Sequence, residues 1–175
     1  MRLSLALLLL APALSELVMP ADAVAAGAYL NIKTALSGDK LIFWVQKTRP
    51  GYASFGFGKS MEKGDVAYVE FEKKGKLVVK DCQLKGYVDP DCGAAKLWVL
   101  EDHVINKDGS WLAKFSRDLK KDGGVAMSKV ENDIIYSYSD LLKMKAHEGE
   151  NSAYGVVKVA VGRGRRLLRR NGLGY

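Results

Sequence analysis

The 175-residue sequence predicts an all-β fold, an antiparallel β-sandwich of about eight or more strands. Three observations carry that expectation. Val, Ile, Tyr, Phe and Trp are spread along most of the chain, which is 48% hydrophobic. From Leu41 onward apolar residues fall into short runs with a period of two rather than into helical stripes. Turn signals such as Pro50-Gly51 and Asp108-Gly109 separate those runs, the spacing expected of a sandwich or barrel. The length suits one domain with one core.

Taken in order, Leu41 to Val45 is the first clear strand and ends before the Pro50-Gly51 turn. Tyr52 to Phe57 follows, with Ala53, Phe55 and Phe57 on one face. Val66 to Phe71 and Leu77 to Val79 flank Lys73-Lys74-Gly75-Lys76 and read as a hairpin. Lys96 to Leu100 and Trp111 to Phe115 flank Asn106-Lys107-Asp108-Gly109, whose Asp-Gly step suits a tight reversal. Ile134 to Ser139 and Val156 to Val161 complete the set. Asp140 to His147 has helix formers and little β character, so it is expected to be a loop or single helical turn capped by Asp140. No internal repeat is visible.

The two ends read differently. Met1-Arg2, an apolar run from Leu3 to Leu14 and the small-residue stretches Ala21-Asp22-Ala23 and Ala23-Val24-Ala25 have the order of a secretory signal peptide, so residues 1 to 25 are set apart from the domain at 26 to 162. After Gly162 the alternation stops, leaving a basic tail over 163 to 175. Arg163, Arg165, Arg166, Arg169 and Arg170 supply five of the positive charges behind the net charge of +7, and without them about +2 remains. The domain proper is therefore near neutral. The tail is expected to be a solvated terminus or to meet an anionic surface; no nucleic-acid partner is expected of a secreted chain.

Export places Cys82 and Cys92 in an oxidising compartment, where an even count favours a disulfide worth about 2 to 3 kcal/mol on loop entropy. Two thiols ten residues apart without clustered histidines lack a zinc ligand set. Asp65, Asp89 and Asp91 do not form a calcium loop. The chain contains no G-x-S-x-G, H-E-x-x-H or G-x-x-x-x-G-K-[ST] motif, and Gly56-x-Gly58 precedes a strand rather than a helix, which excludes a dinucleotide loop. The expectation is an electron-transfer or ligand-binding module rather than an enzyme.

One constellation remains. Trp44-Val45-Gln46, then Gly51-Tyr52-Ala53-Ser54-Phe55-Gly56-Phe57-Gly58-Lys59-Ser60-Met61, then Gly64-Asp65-Val66-Ala67 resembles the motif of the DOMON domain family. The order of Phe115-Ser116-Arg117, Tyr136 and Tyr138, His147-Glu148-Gly149 and a final Gly155-Val156-Val157 strand is similar as well, over roughly residues 28 to 162. The resemblance implies a β-sandwich that binds haem b in some members and is proposed to bind sugars in others. It also implies Met61 and His147 as the axial ligands of the haem iron.

The residues themselves are compatible with that implication. Thioether and imidazole ligands fill the iron's axial positions and raise its reduction potential, which suits electron transfer. Phe55, Phe57, Tyr136 and Tyr138 are candidates to wall the apolar pocket of the cofactor. Met144 and Met127 are rival ligands, His103 reads as an exposed residue, and Lys145, Arg163 and Arg165 are candidates to pair with propionates. The alternative is a haem-free extracellular carbohydrate or small-molecule binding or adhesion domain, with a pocket lined by Trp44, Trp98, Trp111 and tyrosines. In the haem reading a separate redox protein is the expected partner.

Overall fold

The computed structural model describes residues 16–60, 62–72, 75–86, 90–119, 127–142 and 151–163. The strands are β1 (Val24–Ala25), β2 (Leu30–Ser37), β3 (Lys40–Lys47), β4 (Ala53–Ser60), β5 (Lys63–Glu72), β6 (Lys76–Leu84), β7 (Asp91–Ala94), β8 (Trp98–Ile105), β9 (Trp111–Asp118), β10 (Glu131–Tyr138) and β11 (Ala153–Arg163). No helix forms among the described residues. The chain is all-β, as its periodicity predicts.

The strands follow one path, β7-β6-β5-β4-β10-β11-β2-β3-β9-β8, with β1 added on β2. The path curls so that its two halves face each other. Phe43 of β3 meets Phe57 of β4 at 5.6 Å between ring centroids, and Phe55 of β4 meets Phe115 of β9 at 5.0 Å. The shared interior holds these rings together with Leu30, Ile32, Leu41, Val45, Trp98, Trp111 and Ile134.

Strand β11 belongs to both halves. Ala153 to Ala160 pair antiparallel with β10, and Val161 to Arg163 pair parallel with β2. The sheet is therefore mixed where an antiparallel one was expected. β11 has its direction set against β10 before it reaches β2, and it meets β2 from the parallel side. The sequence reading also passed over β2, although Leu30, Ile32 and Thr34 alternate inward at 0% exposure. Val24–Ala25 pair with β2 at Ile32 and Asn31, and Ala26 is fully buried behind them.

The expected turns form where glycine allows them. Glu72↔Lys76 is the last pair of the β5–β6 hairpin, with Gly75 at φ 71°. Ile105↔Trp111 ends the β8–β9 ladder around Gly109 at φ 81°. Both are left-handed conformations that a side chain resists. The disulfide forms between directly opposed Cys82 and Cys92 on β6 and β7, with S–S 2.02 Å.

Candidate functional site

The candidate site begins with the alternation along β4. Ala53, Phe55 and Phe57 point into the sandwich, which leaves Ser54, Gly56 and Gly58 on its outer face. Cross-strand register then assembles that outer face. Ile135, Gly56, Val66 and Cys82 form one row across β10, β4, β5 and β6, and Gly58, Gly64 and Leu84 form the next. Residues directly opposite share a face. The result is a closely packed apolar patch in which Ile135, Val66 and Leu84, 4%, 3% and 8% exposed, lie beside the glycines.

The glycines are needed there. A Cβ on Gly58 would lie 3.0 Å from Lys63 O and 3.5 Å from Ile135 Cγ2, and one on Gly64 would lie 2.9 Å from Leu84 Cδ1. On Gly56 it would run into Asp65 O at 2.1 Å. This face carries its own apolar cluster of Tyr52, Val66, Tyr68, Cys82, Leu84 and Ile135, with Leu141 packed against it. On β11 it continues through Val156, opposite Ile135, and Tyr154, opposite Ser137; they are 45% and 61% exposed. At β11 this apolar face is open to solvent.

Two chain segments border it. At one end Ser60↔Lys63 is the last β4–β5 pair before the turn, which contains Met61. At the other end β10 leads into the connection that contains His147. That connection is anchored where Tyr52 N donates to Leu141 O at 2.9 Å, Ser139 N donates to Tyr52 O at 3.3 Å and Asn151 Nδ2 donates to Asp140 Oδ2 at 3.0 Å. Met61 and His147 themselves lie outside the described residues, as do Met144, Lys145 and Arg165.

The four aromatic candidates sit on the inner side of this sheet. Phe55 and Phe57 are 0% and 1% exposed and pack on Phe43, Phe115 and Trp98. Tyr138 is buried as well, with its hydroxyl accepting from Ala28 N at 2.8 Å, and Tyr136 stacks beside it at 6.3 Å. Burial holds the Tyr136 hydroxyl above the usual phenol range, and neighbouring Tyr138 adds to the shift. Among the rival candidates, Met127 packs at the edge of the core and His103 is exposed on edge strand β8. Arg163 closes β11 opposite Leu36.

The three tryptophans of the sugar alternative do not line one pocket. Trp98 and Trp111 are 1% exposed inside the sandwich, and the Trp111 indole donates to Gly51 O at 3.2 Å. Trp44 lies on the opposite face of β3, beneath the Lys114 ammonium at 6.0 Å.

Two buried charged features escaped the sequence reading. Asp65 and Arg117 form an ion pair in the interior, and Lys47 places its ammonium 5.7 and 5.2 Å from the ring centroids of Tyr29 and Tyr138. The period-two pattern held the signal, because Lys47 continues the inward series Leu41, Phe43, Val45, and Arg117 continues Ala113, Phe115. Burial pushes the Lys47 amine down to about 8, against an opposing pull from Asp140. Asp91, one of the calcium candidates, pairs with Lys85 at 3.0 Å, and Asp89 lies outside the described residues. No cluster of metal-ligating side chains is present among the described residues.

No protein-family model and no curated protein matches the chain. Solved structures do. The chain is similar to the cytochrome domain of Myriococcum thermophilum cellobiose dehydrogenase, with a TM-score of 0.57 and 9% identity over 76% of this chain and 74% of that one. It is equally similar to the cytochrome b domain of pyranose dehydrogenase from Coprinopsis cinerea, with a TM-score of 0.57 and 9% identity over 76% of each chain. The chain therefore has the fold of these cytochrome domains, the same fold that the DOMON resemblance implies.

Proposed function

We propose that this chain is a secreted haem b-binding electron-transfer module, with Met61 and His147 as the axial ligands. The observation that supports the reading most is the fold shared with the two cytochrome domains, with the apolar cluster on the outer face of β10, β4, β5 and β6 beside it. Met61 follows the last β4–β5 pair at Ser60↔Lys63, and His147 follows the end of β10 in sequence.

The haem would supply one-electron exchange. The chain's own residues have simpler tasks. Ile135, Val66 and Leu84 keep water from the outer face of the sheet, and Met61 and His147 would hold the haem iron. The disulfide between Cys82 and Cys92 supports an oxidising compartment, in agreement with the signal-like start of the chain.

The test is spectroscopic. Residues 22–175, which keep β1 and the Asp22–Lys33 ion pair, expressed through a secretory route with haem supplied, are expected to give a sharp low-spin b-type spectrum on dithionite reduction. Met61→Ala and His147→Ala are each expected to abolish it or convert it to a high-spin form. A folded, colourless protein after haem addition would refute the reading and direct attention to glycan screens.

A further inference from the structure

Among the described residues a single ion pair crosses the sandwich interior. Arg117 Nη2 of β9 donates to Asp65 Oδ2 of β5 at 2.5 Å, with side chains 0% and 2% exposed. The guanidinium lies over the rings of Phe57 and Trp98 at 5.2 and 5.1 Å. Asp65 Oδ1, Arg117 Nε and Nη1, and Trp98 Nε1 have no hydrogen-bond partner among the described residues. Such a pair is a poor source of stability, since burial costs both charges their hydration and a single contact returns only part of it. Apolar residues of similar size would pack there at least as well. What the pair does supply is directionality.

Its place in the fold shows where directionality is needed. Asp65 stands opposite Phe57, one pair before Gly58↔Gly64 and two before Ser60↔Lys63 at the Met61 turn. The ladder is irregular between Gly58 and Ser60. Gly56, Gly58 and Gly64 give this stretch few side chains with which to lock a register, and glycine-rich strands slip. A slip of one residue along β5 would turn the Asp65 carboxylate onto the apolar outer face and leave Arg117 alone among aromatic rings, both costly.

We infer that Arg117 and Asp65 are a positioning pair that fixes the register of the β4–β5 hairpin and so of the turn that carries Met61 in sequence. Only the last step rests on the haem reading. The register claim stands on the strand pairing alone.

The test uses the full chain with Arg117→Met and Asp65→Leu combined, which removes both charges together. Melting temperature, hydrogen exchange by mass spectrometry and the rate of Met61 sulfoxide formation by peroxide are measured beside the wild type, and the haem spectrum where haem binds. The double variant is expected to melt at or above the wild-type temperature. Exchange over 58–64 is expected to quicken about tenfold, with the other strands unchanged. Met61 oxidation is expected to change with it, and a haem-loaded sample to lose its uniform low-spin spectrum. Arg117→Lys, which keeps the cation, is expected to fall between wild type and the double variant. A folded double variant with wild-type exchange over 58–64 and wild-type Met61 oxidation would overturn the inference. So would a double variant that fails to fold, because the pair would then hold the whole domain rather than one register. If the wild type binds no haem, the cytochrome reading fails and the exchange measurement still decides the pair.

Discussion

Lys47 shows how a single residue's place in a strand sets its chemistry. Alternation along β3 points it inward with Leu41, Phe43 and Val45, so its ammonium is fully buried against Tyr29 and Tyr138, with Pro50 O accepting from Nζ at 3.3 Å. Aromatic faces and one carbonyl replace its hydration incompletely, and the amine falls from 10.5 to about 8. The sign of the resulting pH dependence follows. Between about 8 and 10.5 the unfolded chain binds the proton more tightly than the fold does, so stability rises with pH through that window. Below it both states are protonated and the full penalty applies. Lys47→Met is expected to stabilise the protein at neutral pH by about 1 to 3 kcal/mol and to flatten that rise, as chemical denaturation from pH 6 to 10 would show. An unchanged slope in the variant would mean that the amine is not the group responsible. The inward position of Lys47 was legible from strand period. Its aromatic neighbours were not, because Tyr29 precedes β2 and Tyr138 ends β10, on either side of it in sequence.

At the scale of elements, the β4–β5 hairpin has two faces of opposite character. Phe55 and Phe57 anchor one face, while Gly56 and Gly58 leave the other flat. Gly56→Ala would place a methyl group 2.1 Å from Asp65 O, so the strands must separate. The expected cost is about 2 to 4 kcal/mol in urea denaturation. Gly93→Ala on β7 meets nothing within 4 Å and serves as the control, expected to stay within about 0.5 kcal/mol of wild type. Equal effects from the two would show that the tight approach at Gly56 does not govern stability. The same hairpin explains why part of the candidate site could be read in advance. The F-G-F-G alternation assigns an aromatic face and a bare face, but only the partner strands show that the aromatic face is the sandwich interior. Ile135, Val66 and Leu84 join the bare face through register with β10, β5 and β6, and no local pattern in the sequence reports which strands become neighbours.

For the molecule as a whole, β11 binds the architecture together. It pairs with β10 over most of its length and with β2 at its end, so the last strand joins the first long strand, and neither half of the curled sheet is complete without it. Unfolding is therefore expected to be a single cooperative transition, with tryptophan fluorescence and far-ultraviolet circular dichroism giving coincident curves. Separated transitions would mean that the two halves are independent units. The all-β class, most strand positions, the glycine turns and the Cys82–Cys92 bridge were determined by the sequence itself. Each depends on residue period, backbone preference or pairing within one short stretch. Only the tertiary structure decided the parallel β11–β2 contact, the burial of Trp98 and Trp111, the Arg117–Asp65 pair and the outer apolar cluster. All of these arise when strands distant in sequence are brought side by side, and the free energy that selects those neighbours comes from burying the faces of the whole sheet at once rather than from any one segment.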